Sequence, residues 1–281
     1  MTSRNASWLD QVDAGLAAGA AIVGVFILIA FISLFWTPHD VAIIDVGARI
    51  AAPSFEYWFG ANHLGRDVVS MIMVGARASI TVAFLAVGAA MLIGVPLGLI
   101  AAATRGPLEE IIMRSSDVIF AFPALILAIL IAAVYGPGAV NAVIAIAVFN
   151  IPVFARLTRG AALPIWTRGY VLSARTAGKG RFRISVEHIL PNIAAVLIVQ
   201  ATVQFSLAVL AEAALSYVGL GTQPPTPSWG RMLAESQTMV SFAPWLAIFP
   251  GLAIFSFVFG LNLLGDGLRR HFDPHRIAGM M

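Results

Sequence analysis

The sequence contains no cysteine, which excludes disulfide frameworks, thiolate metal sites and cysteine nucleophiles. Charge is also scarce. Asp, Glu, Lys and Arg make up 11% of residues, against about 25% in soluble domains. No phosphate-binding stretch of the form Gly-x-x-x-x-Gly-Lys-Ser/Thr occurs. The nearest fragment, "RTAGKG" (175–180), lacks the upstream glycine spacing and carries Gly180 where a Ser or Thr belongs. Of the histidines at 39, 63, 188, 271 and 275, only the last two have ligand-like spacing, and Pro274 intervenes. No metal site is therefore expected. No clear internal repeat is visible.

What remains is apolar. Hydrophobic residues make up 59% of the chain and the mean hydropathy is +0.90. A spanning helix needs roughly 20 mostly apolar residues. Six runs qualify: 14–36, 79–103, 116–135, 138–157, 193–217 and 244–265. Helices satisfy their own backbone hydrogen bonds in lipid, so the expected fold is an all-α bundle of six transmembrane helices. The first run is too long for a signal-peptide core and is read as a retained helix.

The formal net charge of +3 points to loop sorting rather than nucleic acid, because basic residues collect in cytoplasmic loops. With the N-terminus in the cytoplasm, inside segments hold Arg4, Arg105, Arg114, seven basic residues from Arg156 to Arg183, Arg269, Arg270 and Arg276. Outside segments hold only Arg49, Arg66, Arg77 and Arg231. Both termini are thus expected inside. The layout is a cytoplasmic tail (1–13), a first span (14–36), an outer segment (37–78) and a five-helix core (79–265). An inner loop (158–192) and an outer loop (218–243) interrupt the core, and a cytoplasmic tail (266–281) follows it.

Pro96, Pro123, Pro152 and Pro250 fall in or near spans, where proline kinks a helix and frees a carbonyl. Gly94 and Gly98 form a small-xxx-small face suited to close helix approach. Asp117, Glu212 and Asp266 are ionisable groups in or near the spans. Glu212 is the most embedded, with pathway, subunit-pairing and bundle-bonding roles all open. Gln200 and Gln204 share a face of the fifth span and Asn150 lies in the fourth. These three bind helices together or line a path. The "HLGRD" stretch (63–67) is expected to form a scoop or short helix, with Arg66 and Asp67 in local ion pairs. The three prolines of "GLGTQPPTPSWG" (219–230) stiffen an outer loop that caps a path, meets a partner or merely connects.

The basic stretch "YVLSARTAGKGRFRISVEHILPN" (170–192) stands apart. Tyr170, Ala174 and Ala177 share a helical face, Gly178 and Gly180 mark a turn, and 181–190 resumes as helix. A short helix, a turn and a second helix leading into the bilayer are predicted. This stretch resembles the cytoplasmic loop of importer-type ATP-binding cassette permeases at Tyr170, Ala174, Arg175, Gly178, His188, Ile189, Leu190, Pro191 and Asn192. Leu172 stands where that family often has glutamate, and Ser173 where it has the first alanine. Further stretches are similar to the dipeptide, oligopeptide and nickel branch. They are "FGANHLGRDVVSMIMVGARASI" (59–80), "YGPGAVN" (135–141), "ARLTRG" (155–160), "ALSYVGLGTQPPTPSWGRML" (214–233) and "PWLAIFPGLAI…NLLGDGLRRHFDP" (244–274). In order, they cover roughly 55 to 275 and resemble the second of the two permeases usually paired.

The resemblance implies a non-catalytic subunit of a bacterial inner-membrane importer. It implies a second homologous permease, two ATP-binding subunits that carry ATP and Mg, and a periplasmic or lipid-anchored substrate-binding protein. Residues Tyr170, Ser173, Ala174, Arg175, Thr176, Ala177, Gly178, Lys179 and Arg181 would dock an ATPase. Peptides are the expected cargo, with nickel, glutathione or opine-like solutes as alternatives. A self-sufficient secondary transporter would show inverted repeats and several buried carboxylates. An intramembrane enzyme would show paired catalytic groups at membrane depth, and none is seen.

Overall fold

The computed structural model describes residues 3–272, with side chains described from residue 14 onward. The side chain of Arg4, together with His275, Arg276 and most of the expected C-terminal tail, lies outside the described residues. The elements are α1 (Ser3–Ile32), α2 (Val68–Thr104), α3 (Pro107–Ala121), α4 (Ala124–Tyr135), α5 (Ala139–Ile165), α6 (Gly169–Thr176), α7 (Arg181–Ile184), α8 (Leu190–Tyr217), α9 (Trp229–Ser236) and α10 (Trp245–His271). A five-residue π-helical stretch, Ser185–Ile189, joins α7 to α8, so one unbroken rod of helix runs from Arg181 to Tyr217. Among the described residues five helices are long and apolar enough to cross a membrane, and the bent α3–α4 pair brings the number to six if it is counted as one span.

The helices overrun the apolar runs. α2 begins at Val68, eleven positions before the expected 79, because the Asp67 carboxylate caps it by accepting from the Ser70 N–H at 2.9 Å and the Ser70 hydroxyl at 2.6 Å. An uncapped start would leave orphan backbone donors. At 37 residues α2 is about 55 Å long, well over the roughly 30 Å of bilayer hydrocarbon. Its first turns leave the lipid and join a satellite core in which Val68 and Met71 meet Met232, Ala243 and Leu246.

The expected third span, 116–135, is instead two helices bent by 87°. Phe122 is extended before Pro123, as the proline ring requires, and α4 starts anew at Ala124. Pro96, Pro152 and Pro250 sit inside unbroken helices. Two ion pairs, Glu109 with Arg159 and Asp117 with Arg156, hold α3 to α5.

Close backbone approach fixes the central helix pair. A Cβ on Gly94 would stand 2.6 Å from the Ile151 carbonyl oxygen, and one on Gly98 2.4 Å from that of Ala155. The small-residue face read from the sequence is therefore the surface on which α5 lies. α1 meets α10 similarly, with Gly19 against the Leu264 backbone.

Connectivity gives the bundle two ends. At one, Thr104 and Leu99 of α2 lie beside Arg181 and Leu190, with the Glu109–Arg159 pair close by. This is the basic end. At the other, the Gly138 N–H donates to the Leu220 carbonyl at 3.1 Å, near the satellite core. The "HLGRD" turn belongs here. It is organised by the Asn62 side-chain oxygen, which accepts from the N–H groups of Leu64 and Arg66, each at 2.9 Å. The expected Arg66–Asp67 ion pairing is corrected. Asp67 is used up as the α2 cap and faces His39 at 3.6 Å, and Arg66 has no carboxylate within 4.0 Å among the described residues.

Candidate functional site

At the basic end, α5 runs on to Ile165 and the chain reverses into α6, an eight-residue helix. Val171, at 0% exposure, roots α6 in the core. Gly178 ends the helix with φ +83°, a conformation glycine adopts without steric penalty. The Lys179 N–H donates to the Ala174 carbonyl and the Gly178 N–H to that of Arg175, each at 3.1 Å. This is the paired C-terminal cap that a left-handed glycine makes possible. The chain then enters α7, rooted by the buried Ile184 and Ile189. The helix, turn and second helix expected over 170–190 are all present.

A carboxylate absent from the site reading holds the turn. Glu187 accepts from the Lys179 ammonium at 2.6 Å and the Arg183 guanidinium at 2.5 Å. The Tyr170 ring lies 6.2 Å from that of His188, edge to face. The lysine is thus committed within the loop. Tyr170, Ser173, Arg175, Thr176, Ala177, Gly178 and Arg181 are exposed, while Ala174 and Lys179 are half-buried. The Ser173 and Thr176 hydroxyls donate back to carbonyls of their own helix. Arg175 and Arg181 have no carboxylate within 4.0 Å among the described residues. The result is an exposed knob with cationic flanks, braced by Glu187. A local glutamate eight residues from a lysine was the signal that could have identified Glu187.

The four candidate path residues separate. Asn150 and Gln204 line one groove of about 300 Å³ between α4, α5 and α8. Alanines, leucines and Phe149 make up much of its wall, so these two amides are its polar features. The Asn150 amide donates to the Ile146 carbonyl at 2.8 Å, which leaves its side-chain oxygen available. Gln200, one turn below Gln204, is half-buried and is not among the lining residues.

Glu212 lies elsewhere, at 0% exposure. Its carboxylate accepts from the Ser216 hydroxyl at 2.7 Å and lies 3.5 Å from that of Thr222. The Thr222 N–H in turn donates to the Ser216 hydroxyl at 3.1 Å. The acid therefore ties the 219–230 loop to α8. That loop folds into the bundle. Trp229 is fully buried and donates from its indole N–H to the Ile72 carbonyl at 3.1 Å. A Cβ on Gly230 would stand 2.1 Å from the Ala213 carbonyl oxygen. Sequence reasoning gave this loop a cap, a docking or a connecting role and missed its insertion. The combination of Trp229 with Gly230 was the available sign, a large ring beside a residue with no side chain. Asp117 is paired with Arg156 and Asp266 is exposed.

Residues 94–277 match the model of the family described as binding-protein-dependent transport system inner membrane component. The chain is 43% identical over 256 residues to a dipeptide transport system permease protein from Alkalihalophilus pseudofirmus, covering 91% of this chain and 84% of that one. It is 42% identical over 260 residues to a glutathione transport system permease protein from Pectobacterium atrosepticum, covering 91% and 86%. Among solved structures, the inward-facing MetNI methionine ABC transporter superposes with a TM-score of 0.61 at 19% identity, over 72% of this chain and 95% of that one.

Proposed function

We propose, on the premise that the chain belongs to the binding-protein-dependent transport system inner membrane component family, that it forms half of the translocation path of an ATP-driven importer. In this reading it sits in the bacterial inner membrane, paired with a second homologous permease. Two ATPase subunits carry ATP and Mg beneath it, and a substrate-binding protein delivers cargo from outside. This chain performs no hydrolysis. The observation that carries the proposal is the α6–Gly178–α7 knob. It is exposed at its tip, rooted by Val171, and continuous with the rod that ends at Tyr217. A push on α6 passes through the Gly178 turn, which Glu187 braces through Lys179 and Arg183, into the α7–α8 rod.

The cargo proposed is a short peptide. The relatives are named for dipeptide and for glutathione, which share peptide bonds and free terminal charges. The apolar groove holding Asn150 and Gln204 supports passage by weak amide contacts rather than tight retention. Glu212 is assigned to the outer loop rather than to the path.

Purification of the tagged chain from its native cell tests the reading. Co-purifying ATPase subunits and vanadate-sensitive uptake are expected. Recovery of a lone chain with uptake driven by a proton gradient would defeat it in favour of a secondary transporter.

A further inference from the structure

A second groove, about 340 Å³ in volume, opens at the basic end between α2 and the α7–α8 rod. Val95, Leu99 and Ala103 form one wall, and Phe182, Val186 and Leu190 form the other. Phe182 is 84% exposed. Arg181 lines the mouth. Exposed Arg105 follows directly on Thr104, another lining residue. Neither arginine has a carboxylate within 4.0 Å among the described residues. The nearby acids are engaged elsewhere, Glu187 with Lys179 and Arg183 and Glu109 with Arg159.

We propose that this groove binds one anionic phospholipid, its acyl chain between Leu99 and Leu190 and its phosphate between Arg105 and Arg181. The order of chemistries carries the assignment. Apolar length gives way to a cationic rim where α2 ends and α7 begins, the depth at which acyl chains give way to headgroups. Basic sites between spanning helices on the cytoplasmic side favour anionic headgroups, and both arginines count as inside by charge distribution. A free phosphate would use only the rim. The site does not depend on which cargo is carried, though it shares Arg181 with the docking surface of the proposed function.

The test uses the full chain, with the subunits that accompany it, in nanodiscs of mixed phosphatidylcholine and phosphatidylglycerol. Each lipid is supplied in turn with a photoreactive acyl chain, and labelled peptides are mapped by mass spectrometry. Phosphatidylglycerol is expected to label peptides spanning 95–104 and 182–190 in excess over phosphatidylcholine, and added inorganic phosphate should not compete. The labelling should fall about fivefold per arginine in Arg105→Gln and Arg181→Gln. Leu99→Trp, which fills the groove and leaves both arginines in place, should also lose it. Equal labelling by the two lipids, or labelling unchanged in the double arginine variant, would overturn the proposal. So would crosslinks showing a partner subunit seated in the groove.

Discussion

Gly178 holds φ at +83° with nothing within 4 Å of the Cβ it lacks. A side chain there is opposed by backbone geometry and not by crowding within the chain. The left-handed conformation costs an L-residue about 1–2 kcal/mol, with asparagine the usual exception. Gly178→Asn should therefore leave uptake near its native level and Gly178→Ala should reduce it modestly. Gly178→Trp should uncouple ATP hydrolysis from uptake while the protein still inserts, because the indole would project into the proposed docking surface. Normal uptake by the tryptophan variant would count against docking at this turn. Glu212 allows a similar comparison. Glu212→Gln retains an oxygen for the Ser216 hydroxyl and should leave the loop seated. Glu212→Leu leaves the buried Ser216 O–H without its acceptor, at about 1–3 kcal/mol, and should show as faster proteolysis within 219–230.

The elements were legible to different depths, for physical reasons. The α6 turn could be read because its determinants are local: a helical face, then two glycines. The α2–α5 contact was half legible. Gly94 and Gly98 announced a close approach, but Ile151 and Ala155 lie over fifty residues away and carry no matching signal. Gly98→Ala should accordingly lower the thermal midpoint of the purified protein by an amount equivalent to about 1–3 kcal/mol, since its Cβ would meet a backbone oxygen at 2.4 Å. Gly24→Ala, in open space, should leave it unchanged. The break at Pro123 shows the limit of local reading. Four prolines looked alike in the sequence, and only this one marks a bend of 87°. What differs is what surrounds it. α3 is amphipathic and clamped to α5 by Glu109–Arg159 and Asp117–Arg156, pairs that lie 50 and 39 positions apart. The long-range insertion of Trp229 against Ile72 was hidden for the same reason.

At the scale of the whole molecule, coupling depends on which end faces the cytoplasm. The charge distribution places the α6 knob inside and the 218–243 loop outside, and the absence of cysteine makes this directly measurable. Ser173→Cys puts one thiol on the exposed face of α6, and Ser241→Cys puts one on the exposed outer loop, each against a silent background. A membrane-impermeant maleimide should label Ser241→Cys in intact cells, and Ser173→Cys only after permeabilisation. The second rate should then separate orientation from docking. If α6 lies in an ATPase groove, Ser173→Cys in the assembled complex should react severalfold more slowly than in the chain stripped of its partners. Ser241→Cys, at the far end of the bundle, should react equally in both. Labelling of Ser173→Cys in intact cells would invert the topology and remove the mechanical link. Unprotected reaction in the complex would keep the topology and place the ATPases elsewhere.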